Sequence, residues 1–85
     1  MKLKVFAIYD SKVQAYLPPV TFKTIGEAER ILGDCVNNEN HDFCKHSQDY
    51  TLFQLGEWDD SSSVYDVFDA PQHICLLSEL SAAVK

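Results

Sequence analysis

The first residues of the chain alternate in character. Leu3, Val5, Ala7 and Tyr9 fall on one side of an extended backbone, and Lys2, Lys4, Phe6 and Ile8 on the other, which is charged at one end and apolar at the other. A period of two predicts a strand over residues 2–9. Asp10-Ser11-Lys12 is a turn signal, after which residues 13–17 can form a short second strand paired with the first. Pro18-Pro19 ends it, because proline has no backbone donor to offer a central ladder. Val20-Thr21-Phe22 is extended or loop. The period then changes. Thr24-Ile25-Gly26-Glu27 has the form of a capping box, in which the Thr24 hydroxyl accepts from the Glu27 backbone N–H and the Glu27 carboxylate accepts from the Thr24 N–H. Behind it Ala28, Ile31, Leu32, Cys35 and Val36 make one apolar stripe, with Glu29, Arg30 and Asp34 on the other side and Asn37-Asn38 as the stop. Gly26 and Gly33 weaken the intrinsic propensity, so packing is expected to hold this helix.

Residues 39–49 are polar, with Phe43 as their anchor and room for a helical turn. Tyr50-Thr51-Leu52-Phe53-Gln54-Leu55 reads as a strand. Residues 56–63 read as a turn and Val64–Phe68 as the returning strand of a hairpin, broken by Ala70-Pro71. His73–Leu77 is apolar and fits either a strand or a helix, and residues 78–85 read as a flexible tail. The fold class that follows is α+β, in the order β(β)αββ. An antiparallel sheet of three to five strands is covered on one face by one amphipathic helix, since each must bury the other's apolar side. Residues 1–77 make one domain.

Composition fits one small globular unit. The chain has 85 residues, 46% of them hydrophobic and 24% charged. A domain of this size buries a small core, which makes a homodimer an expected route to stability. No stretch approaches the roughly 20 apolar residues of a membrane span, and the apolar run at the N-terminus stops too early for a signal peptide. Three cysteines, Cys35, Cys44 and Cys75, without a secretory signal suggest reduced thiols in a cytoplasmic protein. The net charge of −6 is unevenly spread: residues 1–30 hold five basic groups against three acidic, and residues 31–85 two against ten. Asymmetry of this kind marks a polar interaction surface, although a nucleic-acid binder is ordinarily basic overall.

Little in the sequence points to catalysis. Cys35, His41, Cys44 and His46 are residue types that zinc accepts, but C-x5-H-x2-C-x-H is not a finger spacing, and Cys35 sits on the apolar stripe, so no metal is expected. Cys44 and His46 are neighbours in sequence, which a catalytic pair need not be, and nothing else points to a pocket around them. Asp59-Asp60 is the kind of carboxylate pair that solvates a hairpin tip. There is no glycine-rich phosphate loop, and a domain this small has little room for a substrate cleft of roughly 300 Å³. The chain is therefore expected to bind rather than to catalyse, without a cofactor. Ten aromatic residues are more than a small core hides. Tyr9, Tyr16, Phe22, Tyr50, Trp58 and Tyr65 are expected to be partly exposed. Single-strand binders stack bases on such rings and track the backbone with Lys and Arg. The alternative is that the rings belong to the core and a dimer interface.

Two stretches carry a resemblance. Ala7–Pro19 (AIYDSKVQAYLPP) is similar to the opening of the small nonstructural protein of gokushoviruses, single-stranded DNA phages of the Microviridae. Gly26–Arg30 and Asp34–Asn37 fit that family's helix, and Phe43–Asp60 (FCKHSQDYTLFQLGEWDD) resembles its second signature block. The likeness runs from about residue 1 to residue 72. It departs from the pattern at Val20-Thr21-Phe22-Lys23, where the family is more aromatic and basic, and at Ser47, where it has proline. The resemblance implies a DNA-binding role in phage replication or in the switch to single-strand synthesis and packaging, in the cytoplasm of a bacterial host. It supplies no catalytic residues. The expected contacts are Lys2, Lys4, Lys12, Lys23 and Arg30 to phosphates and Tyr9, Tyr16 and Phe22 to bases. In the alternative reading Glu57, Trp58, Asp59 and Asp60 dock on a phage or host protein, and DNA is not touched.

Overall fold

The computed structural model describes residues 1–81. Its centre is an antiparallel sheet of five strands. Strand β1 (Lys2–Asp10) lies beside β4 (Tyr50–Asp59), and β4 beside β5 (Val64–Leu76). The other edge of β1 is shared by two short strands, β2 (Ala15–Tyr16) and β3 (Val20–Phe22), separated by the two prolines. Helix α1 (Ile25–Val36) packs on one face of this sheet, and a single-turn helix, α2 (Asp42–Lys45), precedes β4. The α+β architecture is the one the periodicity predicts.

The helix covers the apolar end of the mixed face of β1. Phe6 and Ile8 meet Ala28, Leu32 and Val36 of the helix, Tyr50 and Leu52 of β4, Cys75 of β5 and Leu77. The charged end of the same face, Lys2 and Lys4, extends past the helix, where Lys4 pairs across the strands with Glu57. At the helix start the Glu27 N–H donates to Thr24 Oγ1 (3.0 Å) as the capping pattern requires. The return bond comes one residue earlier than expected: Glu27 Oε1 accepts from the Lys23 N–H (2.9 Å). Asn37 ends the helix, and its amide donates to the carbonyls of Gly33 (2.7 Å) and Leu80 (3.2 Å).

Several local expectations are corrected. The apolar stripe is narrower than its spacing suggests: Ala28, Leu32 and Val36 are buried, Cys35 is half-buried and Ile31 is exposed. Tyr50, expected at the surface, is in the core against Phe43, with ring centroids 4.8 Å apart. The segment Gly56–Asp59 is not turn but the second half of β4, held by β1 on one side and β5 on the other. Pro71 does not break β5. The β4–β5 register jumps from Gln54↔Gln72 to Gly56↔Val67, so Phe68–Pro71 bulge outward on an edge strand, a place where proline removes no ladder bond. His73–Leu76 is strand. Leu77–Leu80 is a 3-10 turn whose first residue is fully buried, so the packed chain runs past residue 77. Of the expected tail, residues 82–85 lie outside the described residues.

Gly56 marks the point where these irregularities meet. A Cβ there would lie 2.8 Å from Val67 Cα and 3.0 Å from the Asp66 carbonyl carbon. The backbone of β5 crosses Gly56 closely, its nearest atom the Asp66 carbonyl oxygen, next to the register shift between Gln54 and Gly56.

Candidate nucleic-acid interface

The face of the sheet opposite the helix has no helix packed on it among the described residues, although Val5 and Ala7 on it are buried. Strand alternation assigns to it the other side of β1, Leu3, Val5, Ala7 and Tyr9, and the strand register extends it across the neighbours. Tyr16 pairs with Tyr9, Phe53 with Ala7, His73 with Phe53, and Tyr65 with Trp58, which itself pairs with Leu3.

The rings form a row that crosses four strands. Tyr16 and Tyr9 are 4.9 Å apart between centroids at 61°, Tyr16 and Phe53 5.8 Å at 70°, and Phe53 and His73 5.8 Å at 87°. These are edge-to-face contacts, which fix rings against one another while leaving π-surface free. Tyr16 is 46% exposed, His73 is exposed, and Tyr9 and Phe53 are half-buried. A second aromatic pair stands farther along the hairpin: Trp58 and Tyr65, 6.3 Å apart, with the indole N–H donating to Ser63 Oγ (3.3 Å). Between the two lies an apolar cleft of about 220 Å³ lined by Val5, Pro19, Leu55, Tyr65 and Val67, among others. The open face thus offers two aromatic stations joined by an apolar groove.

The cations expected to accompany these rings are elsewhere, with one exception. Lys2 and Lys4 lie on the helix side of β1, and Lys4 Nζ is 4.0 Å from Glu57 Oε2. Lys23 precedes the helix, its backbone N–H bonded to Glu27, and Arg30 is on the exposed side of α1. Phe22 is half-buried and packed on the core, its ring 5.9 Å from Phe6. Lys12 is in the exposed turn between β1 and β2, at the Tyr9–Tyr16 end of the row. The structure therefore brings Tyr9 and Tyr16 together, places Lys12 on the turn between their strands in a hollow with Asp10, His46, Asp49 and Tyr50, and sets Lys2, Lys4, Phe22, Lys23 and Arg30 apart from them. Phe53 and His73 complete the row and were not among the sequence candidates. Thr51, Phe53 and Leu55 are as apolar as Tyr50, Leu52 and Gln54, so alternation in β4 does not reveal which side is covered.

The acidic candidates are likewise divided by strand alternation. Trp58 belongs to the open face. Glu57 pairs with Lys4 on the other, and Asp59 accepts from the Ser61 backbone N–H (2.9 Å) and hydroxyl (2.7 Å). Those two Ser61 bonds, the side-chain one first, hold the Asp59 carboxyl below its usual range. Asp60 accepts from the Met1 ammonium at 2.8 Å.

The thiols are spread out: Cys35 on α1, Cys44 on α2 and Cys75 in the core. Burial, with Glu29 and Glu79 nearby, pushes the Cys75 thiol up to about 11, which keeps it protonated and unreactive at neutral pH. His41 caps α2, its Nδ1 accepting from the Phe43 N–H (3.0 Å). Among the described residues no three metal-ligating side chains converge, and no helix is long and apolar enough to cross a membrane.

Residues 3–80 match the model of one protein family, described as phage ORF5 protein. No curated protein and no solved structure matches the chain.

Proposed function

The chain belongs to the phage ORF5 protein family, and from that premise we propose that it binds single-stranded DNA on the face of its sheet opposite the helix, by stacking bases on the row Tyr9–Tyr16–Phe53–His73. The observation that carries this reading is the row itself. Four strands each contribute one ring to one face of the sheet, in the contact order Tyr9–Tyr16–Phe53–His73, with Tyr16 and His73 exposed. A globular core has no use for an aromatic row on its solvent side, whereas a strand of unpaired bases does, because every base has a π-face to stack. The resemblance to the gokushovirus nonstructural protein supports the finer assignment to a phage with a single-stranded genome. There the protein acts in the host cytoplasm during replication or packaging. A homodimer, which the small size favours, would form away from this face.

The geometry changes the expected mechanism. Phosphate neutralisation is a minor part of it, since of the five basic candidates only Lys12 lies on the turn that joins the strands of Tyr9 and Tyr16. Affinity comes mainly from stacking, worth about 1–3 kcal/mol per base. The salt dependence is correspondingly shallow. With one phosphate neutralised, log K falls against log salt with a slope near −0.7, against roughly −3.5 if Lys2, Lys4, Lys12, Lys23 and Arg30 all engaged. Discrimination against duplex follows from the same cause, because paired bases do not expose their faces.

The test is a fluorescence-anisotropy titration of a labelled single-stranded oligothymidylate at several salt concentrations, with duplex of equal length for comparison. The expected outcome is binding to the single strand with a shallow slope, weakened by Tyr16→Ala. An absence of binding at low salt, or equal affinity for duplex, would overturn the proposal.

A further inference from the structure

The outer edge of β5 has no neighbouring strand among the described residues. Exposed strand edges are ordinarily short, covered or made repulsive, because their free N–H and C=O groups recruit other chains. Here the segment Val64–Val67 is regular strand, paired to β4 on its inner side, and carries large apolar side chains in the open: Val64 is 61% exposed, Tyr65 62% and Val67 66%. Its two faces differ in chemistry. Tyr65 and Val67 point with Trp58 to the apolar side. Asp66 is opposite Glu57 on the other side, where a cleft of about 410 Å³ is lined by Glu57, Asp59 and Asp66 together with Lys2, Ser62, Val64 and Tyr65; Lys4 pairs with Glu57 and the Met1 ammonium with Asp59, which leaves Asp66 as the unpaired carboxylate of the three. The Asp66 carboxylate has no hydrogen-bond or ion-pair partner among the described residues.

We propose that this edge is a docking strand for an extended basic segment of another protein, added to the sheet beside Val64–Val67. An added strand must alternate as the sheet does. Its side chains on the cleft side meet the unpaired Asp66 carboxylate, and are Lys or Arg. Those on the other side continue the apolar surface of Tyr65 and Val67, and are aliphatic or aromatic. Backbone bonds supply affinity and the alternating pockets supply selectivity, as in other cases of strand addition. A second copy of this chain is a poor occupant. Its own β5 would bring Asp66 and Asp69 into an already acidic edge, and like charges across strands are destabilising. The bulge at Phe68–Pro71 limits the docking segment to the four residues before it. Tyr65 and Val67 also line the apolar groove of the open face, but Asp66 and the free backbone edge are no part of the Tyr9–Tyr16–Phe53–His73 row, so the experiment separates strand docking from base stacking.

The experiment uses the full chain, labelled with nitrogen-15, titrated with a blocked peptide of alternating lysine and valine, and with a second peptide of the same composition in which lysines and valines are in separate blocks. The alternating peptide is expected to bind tighter than the block peptide, shifting the amide resonances of residues 64–67 and leaving those of Tyr9 and Tyr16 in place. Asp66→Asn, an exposed and conservative change, is expected to weaken it about fivefold, the range of a partly solvated ion pair. Equal binding of both peptides, shifts centred on Tyr9 and Tyr16, or an unchanged affinity in Asp66→Asn would each refute the docking strand. So would sedimentation showing that the free protein pairs through this edge with a second copy.

Discussion

Replacing Gly56 by alanine tests the geometry that shapes the open face. The added methyl would stand 2.8 Å from Val67 Cα and 3.0 Å from the Asp66 carbonyl carbon, both backbone atoms. No side-chain rotation relieves such a contact, so β5 has to move off β4, and the ladder pairs from Gly56↔Val67 to Asp59↔Val64 go with it. Overpacking a formed interior costs about 1–3 kcal/mol, and a clash with backbone belongs at the upper end, about 3 kcal/mol. At roughly 0.05–0.15 kcal/mol per residue, a domain of 85 residues has about 4–13 kcal/mol in all, so the loss is a large share of it. About 4–8 °C of Tm per kcal/mol then gives a fall of about 12–24 °C. Gly26→Ala is the control. Its Cβ would be 3.8 Å from Thr24 Oγ1, and alanine inside a helix is better than glycine by about 0.5–1 kcal/mol. Thermal and urea unfolding followed by circular dichroism reads both. A Gly56→Ala protein within about 0.5 kcal/mol of the wild type, the ordinary range of a neutral surface change, would show that β5 does not cross Gly56 as described.

Two further consequences concern the core. Leu77 is fully buried beneath the 3-10 turn, so Leu77→Ala is expected to cost about 2–5 kcal/mol in urea unfolding; a loss near zero would mean that the chain after β5 does not pack. Cys75 is held near 11 against an ordinary 9.0 by burial, and burial, followed by Asp10, also raises Tyr50. Groups whose folded values are raised stabilise fully below their unfolded values, and that stability is lost as pH climbs through the folded ones. Stability should therefore be level near neutrality and decline from about pH 9 toward 11, with Cys75→Val removing part of the decline and Cys35 and Cys44 alkylating before Cys75 in the folded protein. A rise in stability over that range, or Cys75 labelling first, would contradict the buried thiol.

Local patterns predict β1 and α1 well because each shows its own period within a dozen residues. The Thr24 cap and the Asn37 stop are written next to the helix they bound. The hairpin is different. Nothing local states that Leu55 lies across two bulges or that Phe68–Pro71 leave the ladder, since those facts depend on pairing between residues far apart in sequence. Hence Gly56 read as the start of a turn and Pro71 as a break. The same cause hid half of the aromatic row. Tyr9 and Tyr16 are legible as aromatic residues near the basic groups of the first thirty residues, but His73 joins the row only through its pairing with Phe53. Phe22 was grouped with them for its chemistry, and the helix it precedes turns it to the core. The lysines clustered in the first thirty residues are neighbours in sequence, while strand alternation sends Lys2 and Lys4 to the face opposite Tyr9.

The central claim is that bases stack on the open face, and its most direct test is a titration of wild type, Tyr16→Ala and His73→Ala with single-stranded oligothymidylate, each variant first confirmed to unfold as the wild type does. Tyr16 and His73 are exposed, so their loss touches the row and leaves the core intact. Each substitution is expected to weaken binding about tenfold, one stacked base's worth, with the salt slope unchanged. Wild-type affinity in both variants, or affinity lost instead in Lys2→Ala with Lys4→Ala, would place the DNA on the other side of the sheet and contradict the account.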